Sequence, residues 1–409
     1  MWDDWIRKYG EPFSHDFNLD RWRADASDVR THNASPNSSY RQSLNEFAGR
    51  EVFALLAERT GSLFPSDEQR MALREEARRR GALNVVGIGY ANPAWKSYVP
   101  GNPFPAWADF KFSLVENGTS VLTPVKNQFS CGSCVLFACS SQIEAFIALS
   151  TGQNATSIAV EQLLNCFEDT NFLQCNGAYT NVLLSALTDF GTPMAFVYAA
   201  SPSATAVADY EFNEATHNQA CKVIVDKCKG KFFLPSYCTA PMNKRLCNSI
   251  VNCTVAGTCS CSFPVAACTS TPTLCTPRFT MNSLVTTYEG TFAERETALC
   301  QVLLLYGPVA VSIALTPQDR GFFRYDGGVY TPAITIPAAD PNHAVVVVGY
   351  TATTGYNPAA WVFRNSWGPT WGEQYGYFRL PKGNSAYGQF GPMSMLRQDL
   401  VSLVNYKAA

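Results

Sequence analysis

The sequence predicts an α+β fold, on three observations. The first sixty residues set aromatic and aliphatic side chains near helical spacing: Trp2, Trp5 and Tyr9, then Trp22 and Val29, then Phe47, Val52, Leu55 and Leu56. From Pro105 onward the apolar runs become short, β-branched and aromatic, with Gly and Pro between them, so VLTPV, PVAVSIAL, HAVVVVGY and AAWVFRNSW read as strands. No repeat period is visible. The 409 residues allow two to four domains, and 46% hydrophobic against 16% charged residues exclude a disordered tail or a coiled coil. With 31 basic and 33 acidic side chains there is no basic excess to neutralise phosphates, so nucleic acid is not an expected partner.

Residues 1–60 are expected to form a small helical domain. Residues 61–104 begin with DEQRMALREEARRR, which reads as a solvated helix whose Arg-rich end could also be a cleavage site. They then pass into the Gly/Pro/Asn-rich GIGYANPAWKSYVPGNPFP, so 61–104 as a whole reads as a linker. In the remaining 105–409, a helix is expected from Cys134 to Leu149, with Val135, Phe137, Ala138, Ile143, Phe146 and Ile147 on its apolar positions and Gly152 at its end. The uncharged window Thr297–Leu315 is broken by Gln301 and Gly307-Pro308, and is read as a buried helix followed by a strand, not as a membrane span. Between Cys221 and Cys275 nine cysteines fall within 55 residues with few long apolar side chains, so cross-links must replace much of a core there. Residues 222–280 are therefore read as a disulfide-rich insertion.

Fifteen cysteines point to an oxidising, secretory route, ending in a lysosome-like compartment or outside the cell. Zinc is disfavoured in the insertion, because Cys259 and Cys261 are too close for ordinary ligand spacing and no His is nearby. Sequons at Asn33, Asn37, Asn117, Asn154 and Asn252 are compatible with that route. MWDDWIRKYG carries charges where a signal peptide would be apolar, so any targeting peptide is expected to be removed or missing here.

The chemistry concentrates in three segments. PVKNQFSCGSCVLFAC puts Cys134 at a helix start, where unpaired amides and the helix dipole favour a thiolate, with Gln128 six positions upstream. Of four histidines, His15, His32 and His217 sit in polar surroundings, whereas His343 opens the strand HAVVVVGY. A thiolate needs a base that can hold its proton and pass it on, and a polar group that fixes the imidazole; Asn365 in RNSWGPTWG fits the latter role. A redox dithiol at Cys131 and Cys134 is the competing reading, without the βαβ pattern that would support it.

Together these segments resemble the papain family of cysteine peptidases. The resemblance implies a helical lobe and a β-barrel-like lobe meeting at a cleft. It makes Cys134 the nucleophile, His343 the general acid/base and Asn365 its orienter. Gln128 would be an oxyanion donor beside the Cys134 amide, with Trp367 shielding the Asn365–His343 contact. The helical start, with Trp22, Asp25, Val29, Asn33 and LNEFA, resembles an inhibitory propeptide, and PAWADF the start of a mature enzyme after a maturation site before about Pro105. QCNGA resembles a turn that binds substrate backbone, here Gly177 and Ala178, and YGPVAVSI a central strand; Glu144 also matches in position. By the same resemblance Tyr179, Thr180, Ser312, Ala344 and Met395 line a substrate pocket, whose neutral walls suggest an apolar or aromatic side chain. Cys131 would pair with Cys175, and Cys166 with Cys221, leaving eight cysteines to close among themselves and Cys139 and Cys300 either bridged or free. From Cys134 to His343 is 209 positions, and the excess over the family's roughly 130–150 is about the length of the insertion. Val135, Phe129 and Ala178 depart from the pattern. The implied protein is a zymogen of a cysteine endopeptidase, a monomer without cofactor or metal, whose partners are protein or peptide substrates and its own propeptide. The alternative is a catalytically weak scaffold that binds partners through the insertion.

Overall fold

The computed structural model describes residues 1–10, 16–86, 110–111, 120–158, 160, 177–180, 183–184, 252–253, 259–260, 279–288, 291–331, 340–351, 359–383 and 392–408. The expected disulfide partners Cys175, Cys166 and Cys221, most of the 222–280 insertion and the end of the linker lie outside these residues.

Helices α1 (Trp2–Tyr9) and α2 (Leu19–Ala34) form the helical start. Trp2, Trp5, Phe17 and Trp22 stack at its centre, with Trp5 Nε1 donating to the Asn45 carbonyl at 2.8 Å. Asn18 caps α2 by accepting from the amides of Asp20 and Arg21. The Asn33 side chain is tied to the Gln42 backbone by two hydrogen bonds, its Nδ2 donating at 2.8 Å and its Oδ1 accepting at 2.9 Å. Strand β1 (Tyr40–Gln42), α3 (Val52–Arg59), α4 (Asp67–Arg79) and β2 (Leu83–Val86) follow. Within residues 61–104 the charged run thus forms the expected helix, with a full Ser66/Gln69 capping box, and β2 adds a paired strand.

After β3 (Phe110–Lys111) comes α5 (Cys134–Thr151), in which every residue from Cys134 to Ala148 is buried. A helix buried all round is a core helix, and Gly152 ends it in the left-handed region at φ 66°. Strands β4 (Asn252–Cys253) and β5 (Cys259–Ser260) pair with each other; β6 (Phe279–Tyr288), α6 (Phe292–Tyr306), β7 (Val309–Ile313) and β8 (Tyr325–Gly328) follow. The window Thr297–Leu315 is thus helix α6 running into strand β7, as expected.

The sheet that positions the site is built from β3, β7, β9 (His343–Thr351), β10 (Ala360–Arg364) and β11 (Tyr377–Pro381). Strand β9 is its centre, pairing β10 along one edge and sharing the other between β7 and β3. Its apolar run is buried on both faces: Ala344, Val346 and Val348 pack with α5, while Val345, Val347 and Tyr350 pack with Trp361, Phe363, Trp367 and Trp371. A second sheet orders β12 (Leu400–Ala408), β6 and β2. The α+β class is that of the sequence reading; the sheets are open arrays among the described residues, with no closed barrel.

Candidate active site

Three elements bring the candidate residues together. Cys134 is the first residue of α5, His343 the first of β9, and Asn365 directly follows β10. The antiparallel register Arg364↔Val346 carries Asn365 back to His343, whose Nε2 lies 2.8 Å from Asn365 Oδ1. Because that oxygen accepts, Nε2 carries the proton and Nδ1 is left with its lone pair; Nδ1 makes no regular hydrogen bond. The Ala344 amide donates to Cys134 Sγ at 3.3 Å, which sets the sulfur beside the His343–Ala344 peptide. The Trp367 ring lies 4.9 Å from the imidazole and is fully buried.

Gln128 is fixed from both ends. Its Oε1 accepts from Ser366 Oγ at 2.6 Å, and its Nε2 donates to the carbonyls of Cys131 at 2.8 Å and Arg59 at 3.1 Å. Beneath, Glu144 accepts from Thr123, Lys126 and the Ile158 amide, which ties α5 to the segments before and after it. Phe129 has a backbone φ of 47° where glycine is at ease, and lines a groove with Pro124, Phe137, Ile158 and Val160.

The cleft is occupied by the chain itself. The amides of Gly61 and Ser62 both donate to the Asn342 carbonyl, the Ala178 amide donates to the Gly61 carbonyl at 2.9 Å, and the Leu63 amide donates to the Ala178 carbonyl at 2.8 Å. Ser62 and Ala178 thus form a parallel bridge across the groove. The approach is close: a Cβ on Gly61 would fall 1.7 Å from the Gly132 carbonyl oxygen, and one on Gly177, at φ 108°, 2.3 Å from the Gly61 carbonyl. Ala178 fits in place of glycine because its backbone φ is not positive and its methyl packs in the core shared with α5.

This cover decides the electrostatics. Cys134 and His343 have no exposed surface. Burial pushes the Cys134 thiol up to about 12, against smaller downward contributions from the amides of Ala344, Val135, Ser62 and Cys134 itself. Burial pulls His343 down to about 4, opposed by Asn365 and the Arg59 backbone. The covered pair is therefore a neutral thiol and a neutral imidazole at pH 7.

Among the pocket residues, read from sequence as neutral walls, Thr180 and Ser312 converge with hydroxyls: their oxygens are 2.8 Å apart. Ala344 faces Ser312 across the β7–β9 pairing, Met395 is buried in the same core as β7, and Tyr179 is half-buried. Cys131 is disulfide-bonded, whereas Cys134, Cys139 and Cys300 are free and buried, so Cys131 and Cys134 are not a dithiol pair. Ser62, Arg59, Asn342 and Ser366 were not singled out by sequence; of these only Ser366, inside RNSWG, carried a signal.

The sequence profile described as papain family cysteine protease matches residues 110–395, more than half of the chain. Pro-cathepsin H of Mus musculus is 25% identical over 287 residues, covering 70% of this chain and 63% of that protein. Cathepsin F of Drosophila melanogaster is 25% identical over 388 residues, 93% of this chain and 47% of its own length. The chain therefore spans between about half and two-thirds of these two relatives. Among solved structures, digestive procathepsin L2 from Tenebrio molitor larval midgut superposes with a TM-score of 0.63 at 19% identity, covering 99% of this chain and 98% of that one. The recombinant stem bromelain precursor does so with 0.55 at 16%, covering 98% and 97%. By the match over 110–395, the chain belongs to the papain family of cysteine proteases.

Proposed function

We propose that the chain is the latent form of a cysteine endopeptidase. Cys134 Sγ attacks a peptide carbonyl while His343 Nδ1 takes the thiol proton; the imidazolium then gives that proton to the leaving amine, and water releases the acyl group from sulfur. Asn365 Oδ1 holds the ring so that Nδ1 is the working nitrogen, and Gln128 Nε2 with the Cys134 amide holds the oxyanion. Residues 1–60 act as the inhibitory propeptide, with 61–63 completing the block, and maturation follows cleavage before about Pro105. The cysteine content supports a secretory-route protein working in an acidic compartment or outside the cell.

One observation carries this reading: Gln128 Nε2, Ala178 and Asn342 hold a strip of peptide backbone, Arg59 to Leu63, beside Cys134. A thiol-directed epoxide should label Cys134 after acid treatment, and Cys134→Ala and His343→Ala should each abolish labelling. An uncleaved, unlabelled chain after acid treatment would overturn the enzyme and favour a binding scaffold.

A further inference from the structure

The slot opposite Ala178 is built of hydroxyls. Ser62 Oγ lies 2.6 Å from Ser312 Oγ and 3.1 Å from Thr180 Oγ1, and the two pocket hydroxyls lie 2.8 Å from each other. All three residues are buried, each less than 5% exposed. Each hydroxyl has one proton to donate, so a closed ring of three satisfies every donor with no water. Without the third member, Thr180 and Ser312 can use only one of their two protons on each other.

The ring is held by rigid backbone. Ser312 lies in β7, paired with Ala344 of β9, and its carbonyl accepts from Gln398 Nε2 at 2.8 Å. The two bonds from Ala178 to Gly61 and Leu63 leave Ser62 as the residue whose side chain enters the slot. The slot therefore cannot swing away to suit an apolar guest; such a guest strands a buried donor.

Resting on the peptidase reading above, we infer that this slot selects a small hydroxylated side chain, serine or threonine, two residues before the scissile bond, with Thr180 and Ser312 as the specificity-determining residues. A site that hydrogen-bonds a substrate hydroxyl discriminates against the analogue lacking it, here by about tenfold to a hundredfold.

The test uses the acid-activated full chain and peptides identical except at that position, carrying Ser, Thr, Ala, Leu or Phe. We expect kcat/KM for Ser and Thr to exceed Ala at least tenfold, and Leu and Phe further. Ser312→Ala and Thr180→Val should each bring the Ser/Ala ratio close to one. A second readout needs no turnover: protection of Cys134 from iodoacetamide by the peptide Thr-Gly-Ser-Leu, against its counterparts with Ala or Leu in place of Ser, with the same ranking expected. Cleavage or protection that favours Leu or Phe, or a ratio unmoved by both substitutions, overturns the slot assignment while leaving the peptidase reading intact. Ranked protection with no peptide cleaved supports the slot and overturns the peptidase reading.

Discussion

Residues 16–50 grip the sheet-rich part of the molecule through charge and aromatic rings, whereas residues 59–63 touch Gln128, Asn342 and Ala178 almost entirely through backbone. In the first region buried Asp25 accepts from Arg320 and Arg324, and also from the Gly49 amide at 2.8 Å. Strand β1 adds to β8, and Phe47 packs edge-on against Phe323 and Trp367. In the second region the ties are four main-chain hydrogen bonds, one from the Gln128 side chain to the Arg59 carbonyl, one from Arg59 Nη1 to Asn127 at 3.1 Å, and one serine hydroxyl ring. Side-chain anchoring is specific to this partner surface; backbone tethering resembles what any extended peptide could make. On the proposed reading, holding the cover in place and blocking the chemistry are thus separate jobs, done by separate stretches of chain.

The largest effect should come from breaking the anchor. Asp25→Ala leaves two arginines without their shared carboxylate at a buried contact, and should weaken docking of the N-terminal segment by about 3–5 kcal/mol. Urea unfolding and inhibition of the mature enzyme by the separate segment both report it.

Acidification should loosen the strip next. His343 ordinarily titrates at 6.5 and is lowered to about 4 under the cover. A lowered base binds its proton less readily when covered, so the cover is fully favoured above pH 6.5. It loses about tenfold per unit as pH falls to 4, up to about 3 kcal/mol in all. Cys134 works from the other end: raised to about 12 from 9, it keeps its proton under the cover, so opening is favoured again as pH rises from 9 to 12. The rate of Cys134 labelling across pH should trace both limbs, and a flat rate from pH 7 to 4 would contradict the burial of His343.

Gly61→Ala should separate the two jobs directly. The added methyl collides with the Gly132 carbonyl, so Cys134 labelling in the uncleaved chain should rise on the order of a hundredfold, about 2.7 kcal/mol, with the anchor and its Trp fluorescence intact. A change outside both regions should be smallest: Ser66→Ala removes the α4 cap for about 1 kcal/mol, seen in the urea midpoint and not in the labelling rate.

What could be read from sequence follows the same division. Gln128, Cys134, His343 and Asn365 were legible because each is a chemically distinctive residue inside a short motif whose local structure, helix start or strand start, sets its direction. The helix α4 was legible from its charged run. Ser62 was not: a serine between glycine and leucine has no signature, and its partners stand 118 and 250 positions away. The pocket's hydroxyl character was missed for the same reason, because Thr180 and Ser312 read separately as neutral wall. Strand β2 was hidden within a stretch read as a linker, since four residues pairing in parallel with β6 form no pattern of their own. The free state of Cys139 and Cys300 depended on distances that no residue count supplies.

That edge strand has a practical corollary. A scissile event downstream of Val86 severs the polypeptide yet leaves the amino-terminal fragment stitched into the β6–β12 array through β2. Nicking and shedding are then distinct events: a denaturing gel would show two pieces while gel filtration still showed one particle. Liberation of the groove would wait for that ribbon to unzip.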